Sequence, residues 1–351
     1  MTQRCVLGIE TSCDDTAAAV VRGGREVLSS VVASQTELHR RWGGVVPEAA
    51  CRAHLASILP VVEEALERAG GLALGDLAAI AVTTRPGLVG ALLVGVATAR
   101  ALAQSLGLPL VGVHHLEAHV VACQLASPAL EPPFVCMVVS GGHTEIYRYG
   151  GLGRMEVLGR TRDDAAGEAF DKAAAMLGLP YPGGPSIAKA AERGDPKAVR
   201  FPRALLQPRA SLEMSFSGLK TALLYRLKGV GSRREGFGPA ADLAPQEVAD
   251  LAASYQEAIV DVLVEKLRRA ARHTGLRDVA VGGGVACNVR LRERLAAMAE
   301  QEGLRLHLAP PAWCTDNAAM VAALGWRNLE AGLEVGYEQA VCASGVGSRC
   351  A

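Results

Sequence analysis

Two histidines four residues apart, His115 and His119, are the side chains in this sequence best suited to bind a metal ion. On a helix, residues four apart lie on one face, so both imidazoles can reach a single cation. Imidazole binds zinc, iron, copper and nickel. Leu116 stands where the His-Glu-x-x-His pattern of zinc proteases has its glutamate, which disfavours a metalloprotease. Spacing alone also fits two ordinary helix-surface or capping residues, and a third ligand is required.

Two glycine-rich turns, each following an apolar run, could bind an anion. Gly141 and Gly142, in the run 138–144, allow backbone amides to approach a phosphate closely. The triple glycine in the run 282–288 leads into a helix, an arrangement that suits a nucleotide. It lacks the lysine of a P-loop and the spacing of a dinucleotide fingerprint. Each turn is equally compatible with an ordinary tight connection.

Acidic residues form a third group of candidates. Asp164, Glu168 and Asp171 are spaced three and four apart, which predicts that they share one helical face. Three neighbouring carboxylates repel one another unless they face hydroxyls, a metal or basic groups, and a solvated face is the alternative. Near the other end of the chain, Thr315 or Asp316 is expected to cap the apolar helix that follows.

The elements that would position these residues occur in a repeated order. Apolar runs predict strands at 5–9 and 17–22 around a polar tip, a helix at 47–69, and a strand at 78–83 that leads into a helix at about 89–106. A second set has strands at 134–139 and 145–148 around a polar tip, and a strand at 278–281 that leads into the triple glycine. The duplication predicts two related α/β domains facing a cleft. A single sheet with coincidental hairpins is the alternative.

Composition and charge bear on the partners and the cellular location that we expect for the protein. The 351 residues carry no formal net charge, so whole-chain charge gives no sign of a nucleic acid or membrane partner. The segment 154–234 nevertheless holds 15 Lys and Arg against 8 Asp and Glu, a formal +7, which suits a phosphate backbone or a solvated surface. Nine cysteines without a C-x-x-C pair indicate reduced packing residues, with Cys342 and Cys350 as a conceivable exposed pair. We expect no signal peptide, no transmembrane span and a cytoplasmic location.

Eight motifs occur in order along the chain: GIETSCDDT at 8–16, GGVVPEA at 43–49 with Arg52 and His54, His115 with His119, VSGGHT at 139–144, GEAFDK at 167–172, YPGGP at 181–185, SFSGLK at 215–220 and CTDN at 314–317. In this order they resemble the TsaD family, the tRNA N6-adenosine threonylcarbamoyltransferases, formerly called the glycoprotease or Gcp family. The matches run from residue 8 to about residue 325. Trp42 and His114 depart from the commoner tyrosine and asparagine, and neither is an expected ligand.

The resemblance implies an α/β fold of the actin-like (ASKHA, hexokinase-like) class, with two duplicated domains around a central cleft and a helical insertion in the second. We expect the first domain at 1–108 and the second at 109–351. The basic helical insertion would span about 154–234. A C-terminal helix near 325–345 would be able to pack back on the first domain.

The resemblance also implies an acyltransferase. Its members transfer the threonylcarbamoyl group from threonylcarbamoyl-AMP to the exocyclic amine of adenosine 37 in tRNAs reading ANN codons. The metal ligands correspond to His115, His119 and Asp316, with one divalent ion per subunit and iron favoured over zinc. No general base is assigned. The contacts to the acyl-adenylate correspond to Val138, Val139, Ser140, Gly141, Gly142, Asp171, Gly184 and Asn288.

The implied partners are the tRNA anticodon stem-loop, gripped by the basic insertion, and TsaB-like and TsaE-like proteins. Two other classes of function use parts of the same pattern. An actin-like ATPase or small-molecule kinase would use the glycine turns for ATP, and a non-enzymatic TsaB-like scaffold would lack the metal ligands. Because Asp316 lies far along the chain from the two histidines, we expect the metal to tie the two domains together across the cleft.

Overall fold

The computed structural model describes residues 4–208, 210–228 and 243–343. The strands are β1 (Cys5–Glu10), β2 (Asp15–Arg22), β3 (Glu26–Ser34), β4 (Leu77–Arg85), β5 (Leu110–His114), β6 (Phe134–Val139), β7 (Thr144–Tyr149), β8 (Met155–Arg160), β9 (Asp278–Gly282) and β10 (Arg305–Leu308). The helices are α1 (Thr36–Arg40), α2 (Pro47–Arg68), α3 (Val89–Leu106), α4 (His115–Ala126), α5 (Ala166–Met176), α6 (Gly183–Ala191), α7 (Ser217–Lys228), α8 (Pro245–Thr274), α9 (Val289–Glu302), α10 (Pro311–Cys314) and α11 (Ala318–Ala331).

The strands form two five-stranded mixed sheets with the same topology. One has the order β3-β2-β1-β4-β5 and the other the order β8-β7-β6-β9-β10. In each sheet the first three strands pair antiparallel and the last three pair parallel. Every strand predicted from an apolar run belongs to one of these sheets, so the predicted duplication is confirmed and the single-sheet alternative is wrong.

The chain divides into two compact units. Unit 1 comprises the described parts of Met1–Ala129 and Thr315–Ala351, and unit 2 comprises those of Leu130–Cys314. The boundary therefore lies at 129/130 rather than at 108/109, because β5 pairs with β4 and α4 packs against α11. The C-terminal helix α11 packs on the first sheet, although it begins and ends earlier than the expected 325–345.

Unit 1 is organised around β1, whose six residues are all buried. Leu7 and Ile9 belong to the apolar cluster that contains residues of α2, α3 and β4. The intervening Gly8 faces α11, because alternate residues of a strand point to opposite sides of the sheet. A Cβ at Gly8 would lie 2.4 Å from the Ala318 carbonyl oxygen and 2.6 Å from the Ala322 nitrogen. The absence of a side chain at Gly8 thus allows α11 to approach the sheet closely.

The sequence patterns missed four strands at or near sheet edges: β3, β5, β8 and β10. The burial of β3 and β8 is irregular, so neither has a clear alternation of polar and apolar residues. Because 155–160 is β8, the third strand of the second sheet, the helices of the expected 154–234 insertion begin only at Ala166. Of the described helices, α3 alone has the length and apolar composition needed to cross a membrane, and it packs against β4 and α2.

Replacing Gly8 with alanine should destabilise unit 1, because the new methyl group would overlap the backbone of α11. Overpacking of this kind costs about 1–3 kcal/mol and would lower the apparent Tm by roughly 2–10 °C. Thermal unfolding followed by circular dichroism measures the change. Gly75→Ala is the matched control, since nothing lies within 4 Å of a Cβ there. Equal Tm values for the two variants would contradict the close packing of α11 on β1.

Candidate metal centre and glycine-rich turns

His115, His119 and Asp316 converge on one point in unit 1. His119 Nε2 lies 3.2 Å from Asp316 Oδ1, and His115 Nε2 lies 3.5 Å from the same oxygen. One ligand atom from each of the three residues lies within 4.8 Å of the other two. His115 is the first residue of α4 and His119 follows one turn later, so the helix presents both rings on one side. The three residues therefore form a group able to hold a metal ion.

A buried carboxylate orients the first histidine. His115 Nδ1 lies 3.0 Å from Glu10 Oε2 and 3.1 Å from Ser12 Oγ, which leaves Nε2 directed at Asp316. Glu10 is itself held by the Thr83 hydroxyl, which donates to Oε2 at 2.7 Å, and by the Ser12 amide. A carboxylate that accepts a hydrogen bond from the far nitrogen of a ligating imidazole fixes its tautomer and ring orientation. Glu10 occupies that position.

Glu10 and His115 shift each other's pKa values. Burial alone would raise the pKa of Glu10, but the adjacent His115 imidazole lowers it below its usual value. Burial acts to lower the pKa of His115, and the carboxylates of Glu10 and Asp316 outweigh it and raise that pKa to about 9. Without a cation, His115 is therefore protonated at neutral pH, and a metal ion would displace that proton. Two imidazoles and the carboxylate of Asp316 fit a divalent cation.

The loop 11–15 adds two more carboxylates near this group. Burial, with the charge of Asp316 among the further causes, raises the pKa of Asp14, and it raises the pKa of Asp15 to about 7. Burial also raises the pKa of the Cys13 thiol well above its usual value. Sequence reasoning identified this loop only as a polar hairpin tip and did not place Glu10 or Ser12 beside the histidines. The signal that could have found them is the run of acids and hydroxyls between two largely buried strands.

The position of the third candidate ligand, Asp316, differs from the prediction. All three ligands belong to unit 1, so the prediction that the metal ties two domains together is wrong. Asp316 reaches the histidines because α11, which it precedes, packs on β1 and α4. Neither Thr315 nor Asp316 caps that helix. Asn317 does so, with its side-chain oxygen accepting from the Met320 amide at 3.0 Å.

The glycine turns lie together in unit 2. The turn after β6 is closed by a bond from the Ser140 amide to the His143 carbonyl at 2.7 Å, while the space beside Gly141 and Gly142 is open. Gly283, after β9, has a φ of +89°, and a Cβ there would lie 2.3 Å from the Val139 carbonyl oxygen. The two turns therefore touch at the ends of neighbouring parallel strands. Val138 and Val139 are buried and offer only their backbone.

Asn288 is engaged within the protein. Its side-chain oxygen accepts from the Leu291 amide at 2.9 Å and so caps α9, and its amide nitrogen donates to Gln256 Oε1 at 2.7 Å. The family resemblance implied Asn288 as an adenylate contact, and the structure places it directly after the Gly284–Cys287 3-10 turn. These two bonds fix the orientation of the side chain and leave its second N–H and its second oxygen lone pair for a ligand.

Asp171 and Gly184 are also neighbours. Asp171 Oδ1 accepts from the Gly183 amide at 2.7 Å, and the space beside Gly184 is open. Asp171 is on α5, and the start of this helix reaches the first glycine turn, where the Gly167 amide donates to the Ser140 carbonyl at 3.1 Å. Unit 2 thus contains all eight expected substrate residues, which lie at the end of β6 and the turn after it, on α5, on α6 and at the start of α9.

The three carboxylates of the 164–171 segment do not share a helical face. Asp164 precedes α5, and Lys172 lies 2.7 Å from Asp164 Oδ1 and 2.9 Å from Glu168 Oε1. Asp171 turns instead to Gly183. Lys172 offsets the repulsion that the spacing suggested, and this corrects the prediction of a common face.

Cysteines behave as the composition indicated. None of the eight described cysteines forms a disulfide, and four of them, including Cys136, are buried. Cys350 lies outside the described residues, as do Arg209, Arg233 and Arg234 of the basic segment.

Comparison with solved structures supports the architecture. HypF from T. kodakarensis superposes with a TM-score of 0.62 at 16% identity, covering 97% of this chain and 50% of that one. The (R)-2-hydroxyglutaryl-CoA dehydratase component A of Acidaminococcus fermentans gives 0.53 at 15% identity, covering 93% and 99%. Fold and site together define a two-unit α/β protein of the actin-like class with a candidate metal centre in its first unit.

Sequence comparison gives the family. A model described as TsaD, tRNA N6-adenosine threonylcarbamoyltransferase, matches residues 26–323. The enzyme of that name from Symbiobacterium thermophilum is 53% identical over 95% of this chain and 94% of its own length. The one from Anaeromyxobacter dehalogenans strain 2CP-C is 55% identical over 94% and 96%. The chain belongs to the TsaD family of transferases, whose members act on tRNA, and the resemblance seen in the motifs is confirmed.

Glu10→Gln should weaken metal binding, because a neutral amide leaves His115 less basic and less firmly oriented. Loss of such an outer partner typically lowers metal affinity about 10–100-fold. Titration of the metal-free protein with Zn²⁺ in a calorimeter measures the affinity. Glu48→Gln is the matched control, because Glu48 is exposed and pairs only with Arg52 on α2. Unchanged affinity in Glu10→Gln, with an unchanged Tm, would show that Glu10 does not support the centre.

Proposed function

We propose that this transferase moves the threonylcarbamoyl group from threonylcarbamoyl-AMP to the exocyclic amine of adenosine 37 in tRNAs reading ANN codons. The observation that carries the proposal is the convergence of His115, His119 and Asp316 in a chain of this family. The leaving group of this mixed anhydride is AMP, so the protein has to position the two reactants and stabilise developing charge.

The three ligands would hold one divalent ion per subunit. Two imidazoles and one carboxylate suit iron and zinc, and the family resemblance favours iron. When bound, such an ion supplies a Lewis acid able to anchor or polarise the acyl-adenylate. His115 Nε2, His119 Nε2 and Asp316 Oδ1 are the atoms arranged to hold it, and Glu10 and Ser12 keep the His115 ring in place.

The glycine-rich turns of unit 2 would hold the adenylate. Gly141, Gly142 and Gly184 leave open space where backbone amides can approach phosphate or ribose oxygens. Asp171 fixes the turn before Gly184 through the Gly183 amide. Asn288, oriented by its bonds to Gln256 and the Leu291 amide, would bind the adenylate through its second N–H or its second oxygen lone pair.

The basic segment of unit 2 would bind the anticodon stem-loop. Lys189, Arg193, Lys197 and Arg200 are exposed, and within the described residues none of them has an acidic partner. Cations left unpaired at a surface are available to phosphates, whereas Arg203 is tied to Asp261 at 2.9 Å. The four side chains follow one another along α6 and the segment after it, as contacts to a continuous backbone require.

We also propose TsaB-like and TsaE-like partner proteins and a cytoplasmic location. In support, α2 exposes Leu55 and Leu59, and α3 exposes Val89 and Leu93, two pairs spaced four residues apart. The helices α2 and α3 pack against each other, so these side chains lie on neighbouring elements of unit 1. Exposed apolar side chains grouped in this way are typical of protein-binding surfaces.

His115→Ala should abolish transfer, because it removes one metal ligand and the group that faces Glu10. The assay contains an unmodified tRNA transcript, threonine, bicarbonate, ATP, an adenylate-forming enzyme and the TsaB-like and TsaE-like proteins. Modified adenosine is measured by mass spectrometry of the digested tRNA. We expect a loss of about 100-fold or more, since ligands matter at least as much as their supporting groups.

His273→Ala is the control for that assay, because His273 is an exposed residue at the end of α8 in unit 2. Unimpaired transfer by metal-stripped His115→Ala protein would contradict the role of the metal. Transfer that does not depend on the added TsaB-like and TsaE-like proteins would contradict the proposed partners. Hydrolysis of ATP by the chain alone, without transfer, would favour the ATPase or kinase alternative.

A further inference from the structure

Two cysteines from separate parts of the sequence meet in unit 2. Cys287 ends the 3-10 turn Gly284–Cys287, and Cys314 ends the short helix α10, which packs against that turn. Cys287 Sγ lies 3.8 Å from the Pro311 carbonyl oxygen at the start of α10, and its thiol interacts with the side chain of Cys314. Cys314 Sγ is held 3.2 Å from the Ala309 carbonyl oxygen. The two sulfur atoms are therefore neighbours.

A cation lies beside this pair. Arg292 on α9 approaches Cys314 Sγ to 3.3 Å, and its guanidinium is fixed by the Ala286 and Ala309 carbonyls, both at 2.6 Å. The interaction with Cys314 lowers the pKa of Cys287 to about 7, with Arg292 contributing and burial opposing. A thiol with a depressed pKa is partly ionised at neutral pH, and the thiolate is the reactive form.

The two thiols differ in solvent exposure, and the more exposed one is the thiol that would react first with an oxidant. Cys287 is half-buried and can meet a small solute, whereas Cys314 is fully buried. Cys51 is half-buried too, but its thiol donates to the Gly90 carbonyl at 3.4 Å and no cation is paired with it. Cys13 has a raised pKa and is correspondingly unreactive. Among Cys13, Cys51 and Cys287, exposure, a neighbouring cation and a second thiol coincide at Cys287.

We propose that Cys287 and Cys314 form a reversible redox pair that is oxidised to a disulfide by hydrogen peroxide. The inference does not depend on the proposed function. Intracellular disulfides are mostly transient or sensing ones, and a thiolate next to a second thiol is the arrangement that allows this.

Oxidation of the pair to a disulfide would proceed in two steps. The Cys287 thiolate attacks one peroxide oxygen, the O–O bond breaks, and a sulfenic acid forms while the other oxygen leaves as water after taking up a proton. The Cys314 sulfur then attacks the Cys287 sulfur, the S–O bond breaks and a second water leaves. Two thiols lose two electrons and the peroxide gains them. A dithiol reductant reverses the reaction by exchange.

A disulfide between Cys287 and Cys314 would join two segments that lie next to residues of the candidate sites. Cys287 directly precedes Asn288, the cap of α9, and Cys314 is two residues before Asp316 in the sequence. Bonded sulfurs lie about 2.05 Å apart, far closer than thiols in contact, so oxidation requires the two side chains to rotate or the 3-10 turn and α10 to move together. The disulfide would fix the position of the turn that leads to Asn288.

The test treats reduced, full-length protein with hydrogen peroxide, blocks the remaining thiols with N-ethylmaleimide, digests without reductant and identifies peptides by mass spectrometry. We expect a cross-linked peptide pair joining Cys287 to Cys314, about 2 Da lighter than the sum of its thiol forms, that disappears on treatment with dithiothreitol. Cys51 should remain available to the blocking reagent under the same conditions.

Three variants complete the experiment. Cys287→Ser should give no cross-link, and Cys51→Ala, the matched control, should give the same cross-link as the unchanged chain. Cys314→Ser should leave Cys287 as a sulfenic acid that dimedone captures, because the resolving thiol is gone. The proposal is overturned if the unchanged chain leaves Cys287 as a thiol, carries it to the sulfinic acid without a cross-link, or joins it to a different cysteine.

Discussion

The arrangement of unit 1 depends on the bond between a buried carboxylate and an imidazole. Glu10 is fully buried at the end of β1, where an unpaired charge would be strongly destabilising. The His115 ring, the Thr83 hydroxyl and the Ser12 amide compensate for that burial. These hydrogen bonds fix β1, β4 and the start of α4 relative to one another. They also leave His115 Nε2 facing Asp316. The same bond that satisfies a core carboxylate therefore prepares a metal ligand.

The position of Asp316 follows from packing rather than from local sequence. Gly8 and Gly325 place small residues where α11 meets the sheet, with a Cβ at Gly325 falling 2.3 Å from that of Ala81. The helix can then lie close to β1 and β4, and the residues just before it are carried to the histidines of α4. Asn317 caps the helix, so that Asp316 is not used for that purpose. A candidate metal centre is thus assembled from three separated segments by one close helix–sheet contact.

Much of the fold could be predicted because buried strands appear in the sequence as continuous apolar runs. The runs at 5–9, 78–83 and 134–139 are central strands covered on both faces, and their continuous apolar composition indicates this directly. Edge strands such as β3 and β8 alternate imperfectly and were missed. The helix at 89–106 was predicted with its bounds, because Pro86 and Gly87 precede it and Gly107 ends it in a left-handed conformation.

The site was less accessible to prediction from the sequence. His115 and His119 were identified by spacing, since one turn of a helix relates them. Asp316 could be assigned only through the family motif, and Glu10 was not assigned at all, because a contact across 105 residues leaves no local pattern. The expected bridge between domains failed for the same reason: distance along the chain says nothing about which unit a returning helix joins.

The most direct test of this account is X-ray absorption spectroscopy of the purified full-length chain loaded with Fe²⁺ or Zn²⁺. The account predicts one ion per chain with a first shell of nitrogen and oxygen only, showing the multiple-scattering features of two imidazoles, and loss of the oxygen contribution from a carboxylate in Asp316→Asn. A shell containing sulfur, or a spectrum with a single imidazole, would contradict the assignment of His115, His119 and Asp316 as the ligands.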